Sequence, residues 1–223
     1  NTLIGDDGDD TLALSTDDSG NYSNSYSNTY EGGRGNDTLN GGASADTYIF
    51  NRGDGQDVIN DDSWGYAVED RILFGADISA PHLQFSRSAD HNDILIELLD
   101  DAGARTGDSL TLTNAYYDSD TYGIERFEFA DNTSMSLEEV LEITRVVHGT
   151  EGNDELTASH RNEALFGHGG DDTLTGSGDG DNKLDGGAGN DTLYAYGNEN
   201  DLQGGTGDDT LIGHAYGNNT LMG

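Results

Sequence analysis

Cysteine is absent from the 223-residue chain, so neither a disulfide nor a thiolate metal site is available. Basic residues are scarce: 9 Lys and Arg stand against 44 Asp and Glu, a formal net charge of −35. That imbalance excludes ordinary nucleic-acid binding, because the polyanion would be repelled. It also argues against docking on an anionic membrane surface. No apolar run reaches the length of a membrane span, so insertion by this segment is not expected. Apolar residues make up only 32% of the chain, a composition compatible with disorder. They recur at regular intervals, however, which disorder does not require. The excess charge opposes a compact state unless something neutralises it.

Glycine, by contrast, is abundant at 33 residues, and it is periodic. GGRGNDTLN (32–40), GHGGDDTLT (167–175), GGAGNDTLY (186–194) and GGTGDDTLI (204–212) align without gaps. GDDGDDTLA (5–13) and GTEGNDELT (149–157) fit with one glycine lost. The shared pattern is G-G-x-G-x-D-x-U-x, with U a large apolar residue. Glycines permit tight turns with positive φ and let backbone carbonyls face a shared point. Asp at position six adds a hard anionic oxygen of the kind Ca²⁺ prefers. The last three residues form a short strand whose position-eight side chain points inward. The candidate metal ligands are therefore Asp10, Asp37, Asp154, Asp172, Asp191 and Asp209. Asp46 of GGASADTYI (41–49) and Asp57 of NRGDGQDVI (51–59) join them. Backbone carbonyls of Gly5, Gly32, Gly149, Gly167, Gly169, Gly186 and Gly204 complete the set.

Six near-complete copies in phase resemble the RTX (repeats-in-toxin) haemolysin-type calcium-binding nonapeptide. The resemblance implies a parallel β-roll with two nonapeptides per coil and several Ca²⁺ ions, each held between turns one coil apart. It also implies a bacterial protein that leaves the cell unfolded by type I secretion and folds outside. Both NTLIG at the start and NNTLMG at the end lie inside a repeat, so the chain is expected to be a piece of a longer protein.

From residue 148 onward, strong repeats starting at Gly149, Gly167, Gly186 and Gly204 alternate with degenerate ones starting at Ala158, Gly176, Ala195 and Gly213. Position six reads Asp154, Asp172, Asp191 and Asp209 in the first series, but Glu163, Asn182, Asn200 and Asn219 in the second. With two repeats per coil, this predicts a one-sided calcium ladder opposite a calcium-poor edge of hydrogen-bonding amides. Repeats begin at Gly5 and Gly32, 27 residues apart, so residues 14–22 and 23–31 fill two repeat positions in phase, unless 14–22 loops out. Tyr30 then takes an inward position and Asn28 replaces a calcium aspartate.

Between the repeat blocks lie strand-like runs: RILF (71–74), HLQFS (82–86), DILIELL (93–99), SLTLT (109–113) and IERFEFA (124–130). Several alternate apolar and polar residues, as half-buried antiparallel strands do. Ser136 and Glu139 form a capping box before a short helix with Leu137, Val140 and Leu141 on its apolar face. From about Asp46 to Glu142 the order of motifs resembles the haemolysin-type calcium-binding-related domain. That resemblance implies a small β-rich unit capping a roll. Asp57 and Asp70 are further candidate calcium ligands, each equally readable as a turn or surface Asp.

The expected architecture is all-β: a roll at 1–49, a β-rich capping or insert unit with one short helix at 50–147, and a second roll at 148–223. The expected function is calcium binding and calcium-dependent folding in a secreted bacterial protein, a toxin, adhesin or exoenzyme fragment. An enzyme is not expected. GDSL (107–110) matches an esterase signature, but no His follows with Asp three residues earlier, and Ser109 opens a strand. His148, His160, His168 and His214 lie at inconsistent repeat positions, unlike a zinc site. Tyr196 and Tyr216 fall in weak turns one coil apart, which makes a glycan or other cell-surface ligand the alternative partner.

Overall fold

A computed structural model of the chain describes residues 1–14, 27–42, 44–61, 69–87, 93–115, 123–158, 162–178, 180–214 and 218–223. These form two compact units, Asn1–Ile143 and Thr144–Gly223. The second is the simpler. Its strands are β13 (Val146–His148), β14 (Glu155–Thr157), β15 (Ala164–Phe166), β16 (Thr173–Thr175), β17 (Lys183–Ala188), β18 (Thr192–Ala195), β19 (Asp201–Thr206), β20 (Thr210–Gly213) and β21 (Thr220–Met222), the numbering running on from the first unit. Odd-numbered strands pair in one parallel sheet and even-numbered strands in another. One coil is therefore two strands and two turns, and every ladder bond joins a coil to the next.

Position eight points inward in each strand, because the intervening turn returns every coil in register. Leu165, Leu184, Leu202 and Leu221 pair across one sheet, and Leu156, Leu174, Leu193 and Leu211 across the other. Leu165, Leu174, Leu184, Leu193 and Leu202 are fully buried. Their neighbours on either side in sequence are Thr, Asp, Tyr or other residues that face outward, so only one side chain in three serves the core.

The first unit begins the same way, with β1 (Thr2–Asp7), β2 (Thr11–Ala13), β3 (Thr29–Arg34), β4 (Thr38–Asn40), β5 (Thr47–Phe50) and β6 (Gln56–Asn60). It continues through β7 (Arg71–Phe74), β8 (Leu83–Arg87), β9 (Ile94–Leu99), β10 (Arg105–Leu112), β11 (Arg126–Glu128), β12 (Ser134–Ser136) and α1 (Leu137–Thr144). The two sheets run β1-β3-β5-β7-β11-β12 and β2-β4-β6-β10-β9-β8. Residues before and after position 50 thus share both sheets. The inward file Leu3, Tyr30, Tyr48, Ile72 and Phe127 crosses that position without interruption. So does the file Leu12, Leu39, Ile59 and Leu112.

Tyr30 and Tyr48, both inward as their phase requires, stack with ring centroids 5.2 Å apart. The alternating runs of the middle segment are less uniformly antiparallel than their pattern suggests. RILF is parallel to both of its neighbours, β5 and β11. β10 is parallel to β6 and antiparallel to β9, whereas β8 and β9 pair antiparallel. Alternation reports that one face is buried; it carries no information on the direction of the neighbouring strand. The antiparallel strands β8, β9 and β12 lie at the ends of the two sheets farthest from β1 and β2.

Helix α1 starts as its capping box demands. Glu139 Oε2 accepts the Ser136 N–H at 2.8 Å, and Ser136 Oγ accepts the Glu139 N–H at 3.3 Å. Leu137, Val140 and Leu141 are buried against the same core. Residues 15–26, which carry most of the expected extra coil, lie outside the described residues, as do Tyr216 and His160.

Candidate metal centres

Every strong repeat except the one at Gly149 bends through two left-handed residues, at positions two and four. Gly187 (φ 98°) and Gly189 (φ 143°) show the pair, and non-glycine residues hold the first place at Asp6 (φ 76°) and His168 (φ 73°). The turn brings the position-six carboxylate back over the position-one α-carbon. A β-carbon on Gly32, Gly167, Gly186 or Gly204 would collide with Oδ2 of Asp37, Asp172, Asp191 or Asp209 respectively. The carbonyl of the next coil's first glycine converges on the same space. A β-carbon on Gly149 would lie 2.8 Å from Asp154 Oδ2 and 2.9 Å from the Gly167 oxygen. Glycine at position one is thus required less for φ than for the space it leaves to two converging oxygens.

The carboxylates are stitched from coil to coil. Asp10 N–H donates to Asp37 Oδ1 at 2.8 Å, and Asp37 N–H to Asp57 Oδ1 at 2.9 Å. In the second unit Asp154 N–H donates to Asp172 Oδ1, Asp172 N–H to Asp191 Oδ1, and Asp191 N–H to Asp209 Oδ1, at 2.8, 2.8 and 3.0 Å. One oxygen of each rung after the first is thereby used. Oδ2 of Asp10, Asp37, Asp172, Asp191 and Asp209 is buried and accepts no hydrogen bond among the described residues. Burial raises the pKa of Asp191, and it pushes that of Asp57 up to about 7, with the Asp37 charge adding to the effect. Asp154 differs, since its Oδ2 accepts the Thr150 N–H at 2.6 Å and its hydroxyl at 2.9 Å.

The opposite edge of the second unit shows what satisfies that second atom. Asn182 Nδ2 donates to Asn200 Oδ1 at 2.9 Å and to the Ser177 carbonyl at 3.1 Å. Asn200 Nδ2 donates to Asn219 Oδ1 at 2.7 Å and to the Gly197 carbonyl at 3.0 Å. Asn and Asp have the same shape. On the amide edge the terminal NH₂ bridges the oxygen of the next rung and a carbonyl of its own turn. On the acidic edge the same atom is a carboxylate oxygen, which cannot donate. A buried anion facing other oxygens needs a cation between them. Five orphaned oxygens, glycine-made space and converging carbonyls fit Ca²⁺, which takes six to eight oxygen ligands.

The structure separates the sequence candidates into three groups. Asp10, Asp37 and Asp57 share one edge of the first unit, and Asp154, Asp172, Asp191 and Asp209 share one edge of the second. Asp46 stands on the other edge of the first unit, in a ladder with Asn1, Asn28 and Asp70. There Asp46, Asp61 and Asp70 place carboxylate oxygens within 4.8 Å of one another. Burial, followed by the Asp70 charge, holds the Asp61 carboxyl well above its ordinary range.

A second ladder runs beside the first and was missed because position five was read as variable. Asn36 N–H donates to Asp9 Oδ1, and Gln56 N–H to Asn36 Oδ1. In the second unit Asp171, Asn190 and Asp208 donate in turn to Asn153, Asp171 and Asn190, at 2.8–2.9 Å. Position five is Asn or Asp in all six strong repeats, a signal present in the sequence. Its bonds run from later coil to earlier, opposite to those of position six, so each turn is tied in both directions. Ser109 lies within β10, its N–H bonded to the Gly55 carbonyl. His148 Nδ1 and His168 Nε2 are 3.0 Å apart on stacked, exposed rings.

Comparison with known proteins agrees with this geometry. The model of the RTX calcium-binding nonapeptide repeat matches residues 1–18 and 22–59 and, in overlapping copies, 148–223. The haemolysin-type calcium binding protein related domain matches residues 104–139. The iron-regulated protein FrpA of Neisseria meningitidis serogroup C is 36% identical over 128 residues, 56% of this chain and 11% of that protein. The chain thus spans about a tenth of that relative's length. The extracellular lipase LipA of Serratia marcescens aligns over 86% of this chain and 33% of its own at 21% identity, with a TM-score of 0.20.

Proposed function

Because the chain belongs to the RTX calcium-binding nonapeptide repeat family, matched over more than half of its length, we propose that it is a calcium-dependent folding module of a larger bacterial protein exported by type I secretion. The observation that carries this reading is the contrast between the two edges of one roll. Where position six is Asn, the ladder closes on itself; at Asp172, Asp191 and Asp209 an oxygen is left buried without a donor among the described residues.

Asp10, Asp37, Asp57, Asp172, Asp191 and Asp209 would hold the ions, with carbonyls of the position-one glycines. Bound there, Ca²⁺ supplies the positive charge and the bridging contacts that the NH₂ groups supply on the other edge. The protein's own part is to space the carboxylates at one coil and to exclude competing donors. In low calcium the acidic edge repels itself and the chain stays extended enough for export. In the millimolar calcium outside the cell, binding free energy becomes folding free energy. Asp154, satisfied by Thr150, begins the second ladder as a weaker rung. The β-rich part of 50–147 closes the first roll, and no catalytic role is assigned to it. Far-UV circular dichroism of this chain during a calcium titration tests the reading. A coil-like spectrum in chelator that converts to β on adding calcium is expected; a β spectrum in chelator sinks it.

A second reading has one observation in its favour. Tyr196 is 52% exposed on a weak turn, followed in sequence by the polar residues Asn198 and Glu199, a combination that suits a sugar ring. Glycan binding that is lost in Tyr196→Ala, with the calcium response intact, would make this a ligand-binding roll as well.

A further inference from the structure

The amide edge of the first unit is interrupted by acid. Along it the rungs run Asn1, Asn28, Asp46, Asp70 and Glu125, each side chain accepting the N–H or amide of the one before. Asn28 behaves as the second unit's asparagines do, its Nδ2 donating to Asp46 Oδ1 at 2.9 Å. Beyond it the pattern changes. Asp46 is 1% exposed and Asp70 0%, and both are carboxylates.

A third carboxylate enters from a place that glycine holds elsewhere. Gly41 N–H bonds the Asn60 carbonyl, as Gly167 N–H bonds the Asp185 carbonyl next to Gly186. Residue 61 is therefore in register with Gly41 and stands at position one of its turn. Its side chain and the Tyr48 hydroxyl fill the space over the Gly41 α-carbon. Asp61 Oδ2 accepts the Tyr48 O–H at 2.7 Å. Its Oδ1 is buried and accepts nothing among the described residues, and the residue as a whole is 8% exposed. Neither Asp46 nor Asp61 forms an ion pair among the described residues. The tyrosine hydroxyl fixes one oxygen of Asp61, and a carboxylate oxygen of each of Asp46, Asp61 and Asp70 lies within 4.8 Å of the others.

We propose that Asp46, Asp61 and Asp70 hold a divalent cation in a buried site on the edge of the first unit opposite its Asp10–Asp37–Asp57 ladder. Three carboxylates with no His or Cys select a hard ion, Ca²⁺ rather than Zn²⁺. The site does not follow the nonapeptide rule, because Asp61 replaces a turn glycine and donates a side-chain oxygen where the repeats offer a carbonyl. Its occupancy would pin β5, β6 and β7 together where the regular repeats end.

Two measurements on the full chain decide it. Native mass spectrometry of Asp61→Asn, an isosteric change whose amide oxygen can still accept the Tyr48 hydroxyl, should count one Ca²⁺ fewer than the parent. An unchanged count overturns the site and leaves three carboxylates sharing protons. If Asp61→Asn does not fold, terbium decides instead. Tyr48 lies one hydrogen bond from the site and Tyr30 stacks on it, so Tb³⁺ bound there is excited through tyrosine. Tyr30→Phe with Tyr48→Phe should lower that emission several-fold at an unchanged ion count, and undiminished emission overturns the proposal. The ladder reading is tested separately by the second unit's aspartates, so either can fail while the other stands.

Discussion

At the scale of single residues, the difference between Asp and Asn at position six separates a rung that needs an ion from one that does not. Replacing Asp172, Asp191 and Asp209 together by Asn should extend the amide ladder to the acidic edge. Each new amide bond is worth about 1 kcal/mol. The triple variant is expected to bind fewer Ca²⁺ and to retain more β structure in chelator than the parent, as read by calorimetry and circular dichroism. Position one is as demanding. Gly186→Ala drives a methyl into Asp191 Oδ2, whereas a β-carbon on Gly152 meets nothing closer than 3.7 Å. The first should cost about 1–3 kcal/mol, the usual penalty for overpacking, and the second almost nothing, both read from thermal midpoints in calcium.

The pH dependence follows from Asp57, whose pKa is pushed up to about 7 by burial. Its folded pKa is above its unfolded one, so the folded state binds the extra proton. In chelator, the stability present below about pH 4 should therefore fall as pH rises through 7. In calcium, ion replaces proton, so the affinity should weaken as pH drops below 7, with proton release on binding. A titration in unbuffered solution would detect that release; calcium binding without it at pH 6 counts against a ligand role for Asp57.

At the scale of elements, a three-residue strand between turns cannot be stable alone, and each is held by the coils on either side. Leu184 and Leu193 are fully buried in the middle of the second unit's two files. Leu184→Ala should cost about 2–5 kcal/mol, the range for such truncations. The loss belongs to the stack rather than to one strand, so it should raise the calcium concentration needed for folding instead of abolishing the fold at saturation. The same logic explains why strand direction in the middle segment was not legible. In RILF, Ile72 and Phe74 face inward although Leu73 between them is also apolar, and pairing with β5 and β11 comes from residues far along the chain.

At the scale of the molecule, the two units differ in what holds them. The first has an aromatic core, Tyr30, Tyr48, Phe50, Phe74, Phe127 and Phe129, with α1 packed on it. The second depends on a narrow file of leucines with Ala158 and Ala195. Lowering free calcium should therefore unfold the second unit before the first. Amide hydrogen exchange across a series of calcium concentrations, resolved by peptide, reads this directly; loss of protection in both units at the same concentration would contradict it.

The nonapeptide spacing by itself determined the coil, the inward file and which edge is acidic, because all three depend on a local period that repeats without interruption. The capping box of α1 was legible for the same reason: its two hydrogen bonds join residues three apart. Only the tertiary structure decided that residues 1–49 share both sheets with the segment after them, that position five forms a ladder of its own, and that Asp61 meets Asp46 and Asp70. These depend on which coil lies beside which, and on a single glycine-for-aspartate exchange that breaks the period. A repeat makes contacts predictable where it is obeyed; where it is broken, distance along the chain no longer tells which charges are buried together.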